Sequence, residues 1–131
     1  MSKNRRHVSP DGVAAPPEPY SHVIRAGDTI YVAGQVAFDS VGDLVGPGDP
    51  EAQAKQCWKN IELCLRAAGA SLDDIVKVVC FCADIRHVPH EIAVRRRVFP
   101  EGRWPVYTMV QVANLGREDL LFEIDVTAVV G

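Results

Sequence analysis

The strongest pattern lies in the last third of the chain. From Leu120 onward every second residue is apolar: Leu120, Phe122, Ile124, Val126, Ala128 and Val130 make one row. Leu121, Glu123, Asp125, Thr127 and Val129 make the other. Strand side chains alternate between faces, so this run reads as a strand with one face in a core and two carboxylates on the other. The run before it sorts Tyr107, Met109 and Gln111 onto one face and Val106, Thr108, Val110 and Val112 onto the opposite one. Asn114 to Asp119 is turn-forming, which predicts an antiparallel pair joined by a short loop. In that pairing Tyr107 shares the non-core face with Glu123.

Upstream, residues 1–16 are polar and proline-rich and read as a flexible N-terminal arm. Tyr20–Arg25 and Thr29–Phe38 flank Ala26-Gly-Asp28, a hairpin signal. Gly34 interrupts the second run, marking a bulge or a place where something approaches the backbone closely, or else a simple bend where the strand curves. Asp49 can cap a helix, Pro50 suits its first turn and Gly69 its exit. Along it Ala54, Cys57, Trp58, Ile61, Cys64, Leu65 and Ala68 repeat at helical spacing and form one stripe. Ser71-Leu-Asp-Asp74 can cap a short turn, and Val76–Ala83 reads as a buried strand. A second helix spans about Pro89 to Phe99 and is stopped by Pro100. Strand, strand, helix, strand, helix, strand, strand predicts an α+β domain, a single mixed β-sheet with two helices on one face. The uncovered face carries Val79, Phe81, Met109, Leu121 and Val129, more apolar surface than a monomer exposes, and so predicts an oligomer.

Composition narrows the classes without choosing a chemistry. The 131 residues suit a single domain, 1–131. A net charge of −3 argues against a nucleic-acid partner, and no apolar run is long enough to suggest a membrane span. The basic N-terminus has no apolar segment behind it, unlike a secretory signal. Four cysteines fall inside apolar patterns, which favours reduced core thiols and a cytoplasmic setting. Cys57/Cys64 and Cys80/Cys82 lack metal-ligand spacing, so no metal site is expected.

In order along the chain, Pro19-Tyr20, Ile30-Tyr-Val-Ala-Gly-Gln35, the helix from Asn60 to Gly69, Leu72-Asp-Asp-Ile-Val-Lys77, Asp84, Pro105, Val110-Gln-Val-Ala113 and Glu123-Ile124 form a series. With these motifs the chain resembles the RidA (YjgF) family of reactive-intermediate deaminases. The resemblance implies a chorismate-mutase-like fold, a homotrimer, and a site for a small molecule in the clefts between subunits. It implies hydrolysis of an enamine or imine to a keto acid and ammonia, without a cofactor. Glu123 stands at the position of the family glutamate that handles water, Gly34 at the strand glycine and Tyr20 at the tyrosine. The family arginine that grips the substrate carboxylate is absent. Where active members have Pro-Ala-Arg-Ser-Thr, this chain has Pro105-Val-Tyr-Thr-Met109, with Tyr107 in the arginine's place, and Ile92 falls near a frequent asparagine.

The residues thus named divide into a catalytic candidate, Glu123, and substrate-binding candidates Tyr20, Gly34, Tyr107, Met109 and Arg103. A neutral phenol cannot balance a carboxylate's charge, though it can donate one hydrogen bond or stack on a planar ligand. Arg103 is the nearby cation that could reach back into the cleft. Arg95, Arg96 and Arg97 read as a solvated surface, from which one side chain could reach an interface pocket. Glu123 has a structural alternative as the partner of Arg103 or Lys77. Two functions follow: a deaminase of a reactive imine with specificity altered from the simple amino-acid-derived substrates, even a pathway-specific one, or a non-catalytic trimer that binds a metabolite or protein in the same clefts.

Overall fold

The computed structural model describes residues 4–131. Six strands, β1 (Arg5–Val8), β2 (Val23–Ala26), β3 (Thr29–Gln35), β4 (Ile75–Cys82), β5 (Val106–Gln111) and β6 (Phe122–Val129), form one sheet in the order β1-β2-β3-β6-β4-β5. Helices α1 (Pro50–Ala67) and α2 (Val88–Val98) complete the α+β architecture expected from the sequence. All pairings are antiparallel except β4 with β5.

That exception corrects one expectation. The two terminal runs do not pair with each other. β6 lies between β3 and β4, antiparallel to both, and β5 joins the far edge of β4 in parallel. The physical reason is burial. Phe122, Ile124, Val126 and Ala128 are at most 2% exposed, which a strand achieves with partners on both sides under a helix. Val106 and Val110 are exposed, as an edge strand allows. A parallel neighbour needs a crossover, and α2 supplies it.

The register of β5 then fixes its faces. Tyr107 lies opposite Val78 and Met109 opposite Cys80, both of which are fully buried beneath the helices. Tyr107 and Met109 therefore sit on the helix-covered side, not beside Glu123 on the open face as expected. Val106, Thr108 and Val110 take the open side.

The first helix follows its sequence signals. The Asp49 carboxylate accepts from the Ala52 N–H at 3.1 Å, and Gly69 leaves the helix with φ of +83°. Every residue of the apolar stripe is at most 3% exposed. Burying each larger side chain contributes roughly 1.5–3 kcal/mol. Trp58 meets Phe99 edge-on at 5.6 Å, which ties α1 to the end of α2.

The N-terminal arm differs from its reading too. Residues 1–3 lie outside the described residues, but Arg5–Val8 forms an edge strand on β2. Its side chains are almost all exposed, with only Val8 packed against the core, so no apolar alternation announces it. On the open face Val79 and Phe81 are half-buried, whereas Tyr31 and Val129 are exposed. Among the described residues no helix is long and apolar enough to cross a membrane.

Candidate functional site

Glu123 sits in β6 opposite Phe81, half-buried on the open face. The β3–β6 register slips between Val32 and Gln35, and Gly34 lies in that slip. The glycine is required by contact rather than by backbone angle. A Cβ there would stand 2.6 Å from Glu123 Cγ and 2.7 Å from Cδ, well inside van der Waals contact. Both readings of Gly34, bulge and close approach, hold at once, and what approaches is the candidate catalytic side chain.

The slip also turns Gln35 inward, to 2% exposure. Its amide nitrogen lies 3.1 Å from His22 Nδ1 and 3.1 Å from the Ala33 carbonyl oxygen. His22 Nε2 is 2.7 Å from the Ala14 carbonyl oxygen, which can only accept, so Nε2 carries the proton and Nδ1 accepts from Gln35. Tyr20 stands edge-on to His22 at 5.7 Å. Around them lies a cavity of about 70 Å³, bounded by Tyr20, His22, Gly34, Gln35, Phe38 and Asn60 among others. Sequence reasoning gave His22 no role, and here it braces this wall.

Electrostatics set Glu123 apart. Burial, and then the neighbouring Asp125, push its carboxyl above the usual range. The Tyr20 phenol is raised by burial, then by the charges of Glu18 and Glu123. Among the described residues the Glu123 carboxylate has no ion-pair partner: Lys77 and Arg103, its alternative structural partners, are absent from the ion pairs. Asp125 is likewise raised by burial, with Lys77 pulling the other way.

A second polar cluster lies across the sheet, under α2, and the sequence did not single it out. Glu91 is 0% exposed. Its carboxylate accepts from the Tyr107 hydroxyl at 2.9 Å, from Trp58 Nε1 at 3.1 Å and from Arg95 Nε at 3.2 Å. The Arg95 guanidinium lies over the Tyr107 ring, 3.5 Å from its centroid. Burial, then the Glu91 charge, push the Tyr107 phenol far above its ordinary value. Met109 neighbours Cys82, with the sulfurs 3.7 Å apart. Arg103 is exposed in the turn before β5, where its N–H bonds to the Pro100 carbonyl at 3.1 Å. The only signal for this cluster was the Glu91–Arg95 spacing of four, which reads equally well as a surface pair.

The structure thus brings Tyr20, Gly34 and Glu123 together and places Tyr107 and Met109 elsewhere. β4 intervenes between β6 and β5, a separation of about 10 Å across the sheet, and the two groups lie on opposite faces. The four cysteines are buried free thiols. Burial drives Cys64 and Cys80 up to about 12, so both are poor nucleophiles. Among the described residues no group of three or more His, Cys, Asp or Glu side chains is placed to hold a metal.

Comparison with known proteins finds relatives that match nearly the whole chain. The family described as Endoribonuclease L-PSP matches residues 12–130. The mouse 2-iminobutanoate/2-iminopropanoate deaminase is 35% identical over 128 residues, covering 97% of this chain and 93% of that protein. A RutC family protein of Synechocystis is 35% identical over 116 residues, 88% of each chain. Among solved structures, the Rid-family protein YyfA of Yersinia pestis superposes with a TM-score of 0.90 at 30% identity, covering 96% of this chain and 99% of that one.

Proposed function

The chain belongs to the Endoribonuclease L-PSP family, that of the RutC, UK114 and Rid proteins, and on that premise we propose that it is a hydrolytic deaminase of a reactive enamine or imine. The observation that carries the reading is Glu123: a half-buried carboxyl with a raised pKa and no cation partner among the described residues, laid against Gly34 beside Tyr20. A carboxylate so placed is suited to proton transfer. It takes a proton from water as the oxygen adds to the imine carbon. It returns that proton to nitrogen to complete a carbinolamine, then moves the carbinolamine's hydroxyl proton to nitrogen as the C–N bond breaks, leaving a carbonyl and ammonia. Gly34 gives the ligand access to the backbone, and Tyr20 lines the pocket.

The working unit is a homotrimer with the site shared between subunits. Two observations support it. The open face leaves Tyr31, Val106, Val110 and Val129 exposed and Val79 and Phe81 half-covered, an apolar area that calls for a partner. The two groups of candidate residues lie toward different parts of one sheet, as a head-to-tail ring requires if one subunit's Tyr107 is to face another's glutamate. Tyr107 at the family's arginine position supports a specificity altered from the simple imino acids. Buried unpaired thiols suit a reducing compartment, and we place the protein in the cytoplasm.

Ammonia release from a panel of freshly generated imines tests the reading, with Glu123→Gln as the control. Turnover is expected to fall about 10²- to 10⁴-fold in that variant while the fold persists. If no imine is turned over and small metabolites still bind in the cleft, the protein is the non-catalytic binding member of its family, a reading that the absent arginine favours.

A further inference from the structure

Arg95 holds Glu91 in an unexpected way. A guanidinium that only neutralises a carboxylate does best with its fork, through two parallel N–H···O bonds. Arg95 instead meets both Glu91 oxygens with Nε alone, at 3.2 Å each. Among the described residues its Nη1 and Nη2 make no hydrogen bond. The Tyr107 ring supports the plane from one side, and the side chain is 15% exposed. The fork is therefore held in place at its base with its donors uncommitted.

Arg95 lines a surface cleft of about 220 Å³ together with Ile92, Arg96 and Trp104. Arg96 brings a second positive charge, its guanidinium 5.9 Å from the Trp104 ring centroid. Trp58 and Tyr107 each donate to Glu91 as well. The carboxylate therefore takes its hydrogen bonds from three side chains and does not require the Arg95 fork.

We infer that Arg95 is the anion anchor of this protein's ligand site: from its seat on Tyr107, its fork binds a carboxylate or similar planar oxyanion of the ligand, with Arg96 adding charge and Trp104 a flat wall. The inference deepens the deaminase reading and rests on it for the ligand's chemistry, since an imino acid carries such a carboxylate. Tyr107 then acts as a platform that positions the cation one helix turn beyond Glu91.

Pyruvate and its uncharged amide are the probes, titrated into the intact protein by NMR at low and high salt. The unmodified protein is expected to bind pyruvate at millimolar concentration, to prefer it to the amide, and to lose affinity with salt. Arg95→Gln alone strands a buried carboxylate, so it is made together with Glu91→Gln, removing the pair as a pair. Pyruvate binding should weaken about 10- to 100-fold in the double variant, with amide binding unchanged. Arg95→Lys keeps the charge but loses the fork, should weaken binding several-fold, and decides the matter if the double variant does not fold. Arg97→Gln removes a charge from the same helix outside the cleft and should leave binding intact. Undiminished pyruvate binding in the folded double variant or in Arg95→Lys, or no pyruvate binding by the unmodified protein, overturns the inference. Ammonia release from imines with kcat/KM unchanged in Arg95→Lys overturns the anchor and leaves the deaminase standing. Arg95-dependent pyruvate binding without ammonia release from any imine does the reverse.

Discussion

Replacing Gly34 by alanine should separate the site from the fold. The backbone at Gly34 is not left-handed, so alanine fits it without strain. Lower freedom in the unfolded chain even favours the variant by about 0.4–1 kcal/mol. Against this stands the new methyl group, 2.6 Å from Glu123 Cγ and 2.7 Å from Cδ. Carbon atoms pack at about 3.5–4.0 Å, so the Glu123 side chain must retreat by about 1 Å. In a closed core such overpacking costs about 1–3 kcal/mol. Glu123 is only half-buried, and a change of rotamer relieves much of the clash. The two effects nearly offset, leaving stability within about 1 kcal/mol of the unmodified protein.

Activity has no such relief. A catalytic group displaced by about 1 Å costs on the order of 100-fold in rate. Gly34→Ala should therefore unfold in urea near the native midpoint while its ammonia release falls about 100-fold on whichever imine the protein prefers. An NMR titration of the Glu123 carboxyl should show its environment changed. Full turnover together with a native Glu123 titration would refute the assignment of Gly34 as the seat of that side chain. A variant that fails to fold would refute the view that the open face can absorb the methyl.

Tyr107→Phe removes one of three donors to the buried Glu91 carboxylate and should cost about 1.5–3 kcal/mol in urea unfolding; an unchanged midpoint would mean that the hydroxyl is dispensable there. Stability should also vary with pH through Glu123 and Asp125, whose carboxyls are raised in the folded protein. The folded state then binds their protons more tightly, so the contribution is full below the unfolded values of 4.5 and 3.8 and is lost as pH rises through the higher folded ones. Glu123→Gln should flatten that slope and leave the protein more stable above the window, and a pH profile identical to the native one speaks against the raised carboxyl. Light scattering should give a trimer, and Phe81→Asp should break it, since Phe81 is half-buried on the open face; a native-like trimer from that variant would place the contact elsewhere.

What could be read from the sequence depended on whether the information was local. The stripe on α1 and its Asp49 cap were legible because both ends of each interaction lie within a few turns. The two faces of β6 were legible for the same reason. Its neighbours were not. Alternation tells which face a side chain takes and leaves open which strand it meets, so a loop of suitable residues suggested a hairpin where β4 intervenes. The misplacement of Tyr107 and Met109 followed directly from that one error. Glu91 was hidden for another reason. It is buried by Trp58 from α1 and Tyr107 from β5, which converge only in the folded chain.

Burial alone does not decide which of the two glutamates fits the proposed chemistry. Glu91 is the more deeply buried, but three donors from Trp58, Arg95 and Tyr107 fill its oxygens. Its carboxylate holds α1, α2 and β5 together and fixes Arg95. Glu123 is half-exposed, raised by burial and by Asp125, and free of any ion pair among the described residues, so gaining or losing a proton breaks no ion pair there. A group that must exchange protons with water at each turnover needs that freedom, and it needs water within reach. Glu123 meets both conditions from a position that Gly34 keeps open, and Glu91 meets neither. The division of labour follows from the fold: the carboxylate under the helices is fixed as structure, and the one on the open face is left available for chemistry.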